Sequence, residues 1–157
     1  EFQKRVRGIL DSYLGSGESD EAIFCFKEFA KQTPGFFDEV VVCALRTALE
    51  RSSQQRQSVT ELLVKLHKEG VLDHPSSARG FAKLCCTWEE IVVDSGSQAA
   101  IDLVDMLLAC IRDGCTAREF LTRMPEGLLA AVLRDSKEER AELQEVKDRL
   151  QKFKRAV

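Results

Sequence analysis

The sequence predicts an all-α domain of antiparallel helical hairpins, stacked as a short HEAT-like solenoid bundle of about eight or nine helices. Three observations predict it. Apolar residues recur at helical spacing along nearly the whole chain, short breaks rich in Gly, Ser and Pro separate the periodic segments, and only 3 prolines and 9 glycines occur in 157 residues. Helices joined by short loops pack as antiparallel neighbours. Stacks of such pairs usually present surfaces to other proteins.

The first half of the chain contains five predicted helices. The first stops at a Gly-Ser-Gly break, and Ser19 or Asp20 is expected to cap the second. The third, residues 36–49, is apolar nearly all round and is therefore expected to be the central buried helix. The fourth ends at Gly70, and Pro75 suits the first turn of the fifth.

The second half begins with an interruption at residues 89–96. Its Ile-Val-Val run has strand propensity but no pairing partner elsewhere, so an ordered connection is predicted. Ser97 is expected to cap a long helix ending at Gly114, and two shorter helices divided at Pro125 follow. A last helix carries a heptad seam, which is expected to pack on its own domain in a monomer and not to dimerise. The seam consists of Leu143, Val146, Leu150, Phe153 and Val157.

Cysteine usage indicates the compartment. None of the six cysteines forms a CxxC pair, and most lie within apolar helical patterns, which is typical of reduced, buried thiols. The sequence therefore predicts a cytoplasmic protein, with the nucleus as a further compartment. No apolar run approaches the roughly 18–20 residues that span a bilayer, so no membrane partner is predicted. The chain starts with Glu1 and not with methionine, and it is expected to be a fragment.

No enzyme activity, cofactor or metal site is predicted. The sequence contains no nucleophile elbow, zinc-protease motif, phosphate-binding loop or calcium-binding loop. His67 and His74 are the only histidines, and structural roles are expected for both. Cys85 and Cys86 are adjacent, which is not a zinc-ligand spacing; one is expected to face the core and the other its edge.

One stretch has charges of a single sign. No lysine or arginine occurs between Lys83 and Arg112, although the chain contains 23 basic residues and has a net charge of −3. Uncompensated acidic charge favours a basic partner, and Trp88 beside it is a common type of interface anchor. The alternative is that the acids complement helix dipoles and that Trp88 belongs to the core. The acidic residues of this stretch are Glu89, Glu90, Asp94, Asp102 and Asp105.

Seven short stretches carry a family pattern by their order and spacing. They are residues 9–14, 20–22, 48–51, 62–66, 70–72, 80–81 and 90–94. Together they resemble the MA-3 (MA3) domain, a helical-repeat domain of the scaffold factor 4G of the cap-binding initiation complex, the programmed cell death 4 tumour suppressor and some splicing proteins. The likeness extends to about Cys115. Residues 1–115 are therefore predicted as an MA3-like domain, and residues 116–157 as a C-terminal helical extension packed on it.

The resemblance implies a partner and a site. Members of the family dock onto a DEAD-box RNA helicase of translation initiation (factor 4A type) through an acidic loop and so regulate translation. Glu90 and Asp94 match the two docking carboxylates, with Glu89 and Trp88 as neighbours. Where the family has a proline two residues after the aspartate, this chain has Gly96, which is expected to loosen the loop and weaken binding.

The resemblance leaves several roles open. The domain acts as an inhibitor or as a scaffold, and the tandem copies found in suppressor-type proteins favour the inhibitor. One alternative is a scaffold for another protein partner, for example in splicing or another RNA-processing complex. A further alternative is RNA binding through the basic C-terminal helix, which is disfavoured because only Phe153 is interleaved there as an aromatic platform. The basic residues concerned are Lys147, Arg149, Lys152, Lys154 and Arg155.

Overall fold

The computed structural model describes residues 2–33, 35, 37–136 and 140–156, the side chains of 153–156 excepted. The described residues form nine α-helices and one 3-10 helix and contain no strand, which confirms the predicted all-α class. The α-helices are α1 (Phe2–Ser16), α2 (Ser19–Gln32), α3 (Phe37–Leu49), α4 (Ser53–Lys68), α5 (His74–Cys86), α6 (Trp88–Ser95), α7 (Ser97–Arg112), α8 (Glu126–Asp135) and α9 (Ala141–Ala156). The 3-10 helix is Arg118–Arg123.

The helices pack around α3. This helix contacts α1, α4, α5 and α7, and α4 in turn packs on α7. Ten of its thirteen residues are buried, Val40, Val41 and Leu45 completely. A helix that is apolar nearly all round has no face suited to water. The prediction of a central buried helix at this position is therefore confirmed.

The C-terminal helices continue the same stack. α8 packs on α7, and α9 packs on α8 and on the 3-10 helix. Leu143 and Val146 of α9 are buried, and Leu150 packs at the edge of the core. These three seam residues thus contact this chain's own core. Phe153 and Val157 lie outside the described side chains.

An ion pair fixes the start of α9. Arg140 is only 8% exposed, and its guanidinium donates to both carboxylate oxygens of Asp105 on α7. The donor–acceptor distances are 2.6 Å from Nε to Oδ1 and 2.9 Å from Nη2 to Oδ2. A bidentate arginine–carboxylate pair is short and directional. It therefore sets the position of α9 against α7.

Three local predictions were wrong. The segment 89–96, predicted as a connection, is helical as far as Ser95 and belongs to α6. Neither Ser19 nor Asp20 caps α2, because Glu18 occupies the cap position without a side-chain hydrogen bond. Ser97 is the first residue of α7, and Gly96 precedes it at the cap position. Of the two short helices divided at Pro125, the first is a 3-10 helix and the second is α8.

Candidate functional site on helix α6

Helix α6 forms because one of its sides fits the core. Trp88, Ile91 and Val92 are spaced i, i+3 and i+4, and all three pack at the edge of the core. Residues at this spacing share one face of a helix. Tertiary packing thus overrides the strand propensity of the β-branched run. Glu89 and Glu90 lie in the first turn, where carboxylates complement the helix dipole.

The opposite side of α6 is exposed and acidic. Glu89, Glu90, Val93 and Asp94 are all exposed, and we call these four residues the outer face of α6. Glu90 and Asp94 are spaced i and i+4, so their carboxylates lie on neighbouring turns of one face of the helix. Val93 is 84% exposed, more than any other large apolar residue in the described part of the chain. An apolar side chain with carboxylates around it can make a hydrophobic contact with a partner, while the carboxylates favour a partner with basic residues.

No counter-charge of the described chain reaches the outer face. Within residues 2–33, 35, 37–136 and 140–156, the carboxylates of Glu89, Glu90 and Asp94 have no ion pair and no side-chain hydrogen bond. The nearest lysine in sequence, Lys83, instead binds Asp38 on α3 with an Nζ–Oδ2 distance of 2.9 Å. These three negative charges are therefore available to a basic partner.

The other two acids between Lys83 and Arg112 are paired with arginines. Asp102 on α7 pairs with Arg56 of α4 at 3.5 Å, and Asp105 pairs with Arg140. Their partners come from parts of the chain that are distant in sequence. The five acids therefore do not form one patch, and the outer face of α6 retains three of them.

Trp88 connects α6 to α8. A Cβ placed on Gly127 would lie 3.2 Å from Cζ2 of the Trp88 indole, so the ring lies directly against the backbone of α8. Trp88 is half-buried, whereas the residues of the outer face are exposed. The indole therefore holds α6 in place, and its buried side is not available to a partner.

This contact predicts a spectroscopic change. Trp88 is the only tryptophan of the chain, so fluorescence excited at a wavelength that Tyr13 does not absorb reports on this site alone. We expect Gly127→Val to push the indole away from α8 towards water, which shifts the emission to longer wavelength and increases quenching by acrylamide. Gly8→Val is the matched control, because a Cβ at Gly8 meets no atom within 4 Å. Unchanged emission in Gly127→Val would show that the indole does not lie against α8.

The joint between α6 and α7 is a single glycine. Gly96 has φ 92° and ψ 167°, a conformation essentially restricted to glycine, and its N–H donates to the Val92 carbonyl at 2.8 Å. The acidic loop implied by the resemblance is thus a short helix followed by a sharp joint. Gly96 is the residue at this joint.

Val93 is the residue of this site that the sequence analysis missed. The sequence grouped it with Ile91 and Val92 as one apolar run. In the helix the two neighbours face the core, and Val93 points outwards. The signal that could have found it is the spacing from Trp88, since residues 88, 91 and 92 share a face that excludes residue 93.

The buried thiol next to α6 is structural. Cys85 is buried and Cys86 exposed, as predicted for this pair. Burial, with a smaller contribution from neighbouring Cys86, raises the pKa of the Cys85 thiol to about 12. A thiol with such a pKa stays protonated at neutral pH and is a poor nucleophile. The chemistry of the site is therefore that of the outer-face carboxylates.

The stacked helices and the unpaired outer face together define a helical protein-interaction domain. The family model of the MA3 domain matches residues 2–117, and the chain belongs to the MA3 domain family. The match ends just before the 3-10 helix and includes α1–α7. In the described residues, no helix has the length and apolar character needed to cross a membrane.

Two curated relatives from Arabidopsis thaliana are similar to the chain. It is 31% identical over 94 residues to MA3 domain-containing translation regulatory factor 3, and 28% identical over 94 residues to MA3 domain-containing translation regulatory factor 2. Each alignment covers 60% of this chain and 13% of the relative. The chain therefore spans only a small part of the length of these proteins.

Proposed function

We propose that this domain binds a DEAD-box RNA helicase of the translation-initiation (factor 4A) type through the outer face of α6, and so regulates translation. The observation that supports the proposal most is the set of three exposed carboxylates without a counter-charge, arranged around exposed Val93. Such a face attracts a basic surface and orients it. Glu90 and Asp94, the positions that match the docking acids of the family, both belong to it.

The way α6 is held supports a preformed site. Trp88, Ile91 and Val92 pack on the core, and Gly96 fixes the exit of the chain into α7. A binding face on a supported helix loses little conformational entropy when a partner docks. We therefore propose Glu90 and Asp94 as the docking acids, Glu89 and Val93 as flanking contacts, and Trp88 and Gly96 as the residues that orient the helix.

Comparison with the relatives supports a role in translation. Both Arabidopsis proteins are named MA3 domain-containing translation regulatory factors, and the family model of the MA3 domain matches residues 2–117 of this chain. We propose that the protein that contains this chain also regulates translation. We also propose that residues 1–115 form the docking domain and that residues 116–157 support it, because Gly127 on α8 contacts Trp88.

Titration calorimetry against a purified factor 4A-type helicase tests the docking proposal. We expect the native domain to bind with one-to-one stoichiometry and the Glu90→Lys/Asp94→Lys variant to bind at least about tenfold more weakly, because reversed charges repel a basic surface. Affinity is also expected to fall as salt is added, since exposed charges are screened. The circular dichroism spectrum of the variant should equal that of the native domain.

The matched control changes the net charge equally at another place. Glu50 and Asp113 are exposed acids just after the C-terminal ends of α3 and α7, where lysine complements the helix dipole. Glu50→Lys/Asp113→Lys is expected to bind like the native domain. An equal loss of affinity in both double variants would mean that binding depends on the net charge of the domain and not on where the substituted acids lie. Native-like binding by Glu90→Lys/Asp94→Lys would remove the outer face of α6 as the site.

The same complex distinguishes an inhibitor from a scaffold. We favour the inhibitor, in which the bound domain lowers the RNA-unwinding rate of the helicase. A scaffold-type domain would bind equally well and leave unwinding unchanged or faster. Failure of the native domain to bind any factor 4A-type helicase would favour the alternative of another protein partner, docked on the same supported face.

A further inference from the structure

The turn between α4 and α5 brings the two histidines of the chain together. His67 lies in the last turn of α4, and His74 is the first residue of α5. Gly70, with φ 78°, reverses the chain between them, and the N–H groups of Val71 and Leu72 both donate to the Leu66 carbonyl. As a result the two Nε2 atoms lie 3.1 Å apart, and the ring planes are inclined by 55°.

The hydrogen bonds of His67 fix its tautomer. Nδ1 of His67 lies 2.8 Å from the Leu72 carbonyl oxygen. A carbonyl oxygen only accepts, so Nδ1 carries the proton and donates it. In the neutral ring the lone pair is then on Nε2, which faces His74. The backbone thus orients one imidazole with its free nitrogen towards the other.

We propose that His67 and His74 form a two-imidazole chelate for a divalent transition-metal ion of the Zn²⁺, Ni²⁺ and Cu²⁺ class. Two imidazole nitrogens bound roughly 2.0–2.1 Å from one tetrahedral zinc ion are about 3.3 Å apart. The observed separation of 3.1 Å needs only a small opening of the pair. His74 is exposed, so its ring can turn to direct its lone pair at the same ion.

The surroundings of His67 match those of a metal-binding histidine. Ligating histidines generally donate their second ring N–H to a carbonyl or carboxylate, which fixes their orientation, and the Leu72 carbonyl does this here. Imidazole suits zinc, copper and nickel, whereas Mg²⁺ and Ca²⁺ require oxygen ligands. The chelate therefore selects for transition metals.

Water completes the coordination sphere. In the described part of the chain, no group of three or more histidine, cysteine, aspartate or glutamate side chains surrounds one point. The nearest carboxylate in sequence, Asp73, already accepts the Ser76 N–H at 2.7 Å as the cap of α5. Two protein ligands with an open remainder give a weak, exchangeable site. The proposal is independent of helicase docking, since α6 contributes none of these residues.

Calorimetric titration of the chain with ZnCl₂ and NiCl₂ tests the chelate. All proteins carry Cys86→Ser, because the Cys86 thiol is exposed and thiols are zinc ligands, so this substitution removes a competing ligand. We expect one ion per chain for both metals and no heat with MgCl₂. His74→Ala is expected to weaken binding roughly tenfold or more, because the second ligand no longer acts at a high effective concentration.

A second readout separates a metal site from a structural hydrogen bond. An ion that binds only the folded chain raises its melting temperature. We expect ZnCl₂ to raise the melting temperature of the parent chain and to leave that of His74→Ala unchanged. His74→Ala is the decisive variant because its side chain is exposed, whereas His67 also bonds to the backbone of the turn. Equal metal binding by the parent chain and His74→Ala, or no binding by the parent chain, would overturn the proposal.

Discussion

Gly96→Pro is expected to lower the free energy of unfolding by about 3 kcal/mol or more. Proline fixes φ near −65°, and residue 96 has φ 92°. The substitution also removes the N–H that donates to the Val92 carbonyl at 2.8 Å and closes the last turn of α6. Both effects act on the joint that aims the outer face of α6. The result is unexpected from the resemblance alone, because the family has proline at this position.

Urea denaturation followed by circular dichroism measures this loss, with Gly96→Ala as the comparison. Alanine keeps the N–H but accommodates the positive φ poorly, at a cost of about 1–3 kcal/mol. The further decrease in the free energy of unfolding from Gly96→Ala to Gly96→Pro therefore measures two effects, the loss of the hydrogen bond and the constraint of the proline ring. If Gly96→Pro were as stable as the native chain, α6 and α7 would be joined by a different backbone conformation from the one described.

Helix α6 shows where prediction from sequence ends. The longer helices could be predicted because periodicity over many residues determines which side is apolar. Eight residues provide barely two turns, and the Ile-Val-Val run within them favours a strand. Trp88 and Ile91 make the segment helical by packing on the core. That contact requires the other helices to be in place, so local sequence could not reveal it.

Charge pairing was equally hidden from the sequence. The absence of basic residues between Lys83 and Arg112 marked this stretch as acidic, but it did not show which of its carboxylates are paired in the fold. Asp105 is bound by Arg140, whose position follows only from the packing of α9 on its neighbours. The histidine pair was hidden from the sequence for a similar reason. The turn between α4 and α5 brings the two rings together, and their spacing in the sequence does not reveal this. Side chains from different helices meet through tertiary structure, which one-dimensional patterns do not encode.

Gly80→Ala is expected to lower the free energy of unfolding by about 2 kcal/mol. Gly80 of α5 faces α3, and a Cβ at this position would lie 2.5 Å from Cγ1 and 2.7 Å from Cβ of Val41. Val41 is fully buried and β-branched, so it has no alternative rotamer with free space. Overpacking of a core costs about 1–3 kcal/mol, and these very short contacts favour the upper end. The higher helix propensity of alanine offsets about 1 kcal/mol of it.

Ion pairs beside Gly80 also link the two helices. Lys83 of α5 binds Asp38 of α3 at 2.9 Å, and Arg79 approaches the same carboxylate at 3.8 Å. Burial by itself raises the pKa of Asp38, but the bond from Lys83, with smaller contributions from the Glu39 N–H and from Arg79, holds that pKa below its usual value. Separating α5 from α3 to admit a methyl group would stretch these pairs, which adds a small cost to relieving the clash by a helix shift.

Chemical denaturation of two alanine variants isolates the packing cost. Gly8→Ala introduces the same methyl group in the middle of α1, where a Cβ meets no atom within 4 Å, and is expected to stabilise the chain by about 1 kcal/mol. Val41→Ala removes the atoms with which the new Cβ collides. In the Gly80→Ala/Val41→Ala double variant we expect a loss smaller than the sum of the single losses by about 0.5–3 kcal/mol, the range for residues in contact. Strict additivity would mean that residue 80 does not face Val41, and the approach of α5 to α3 would then need another cause.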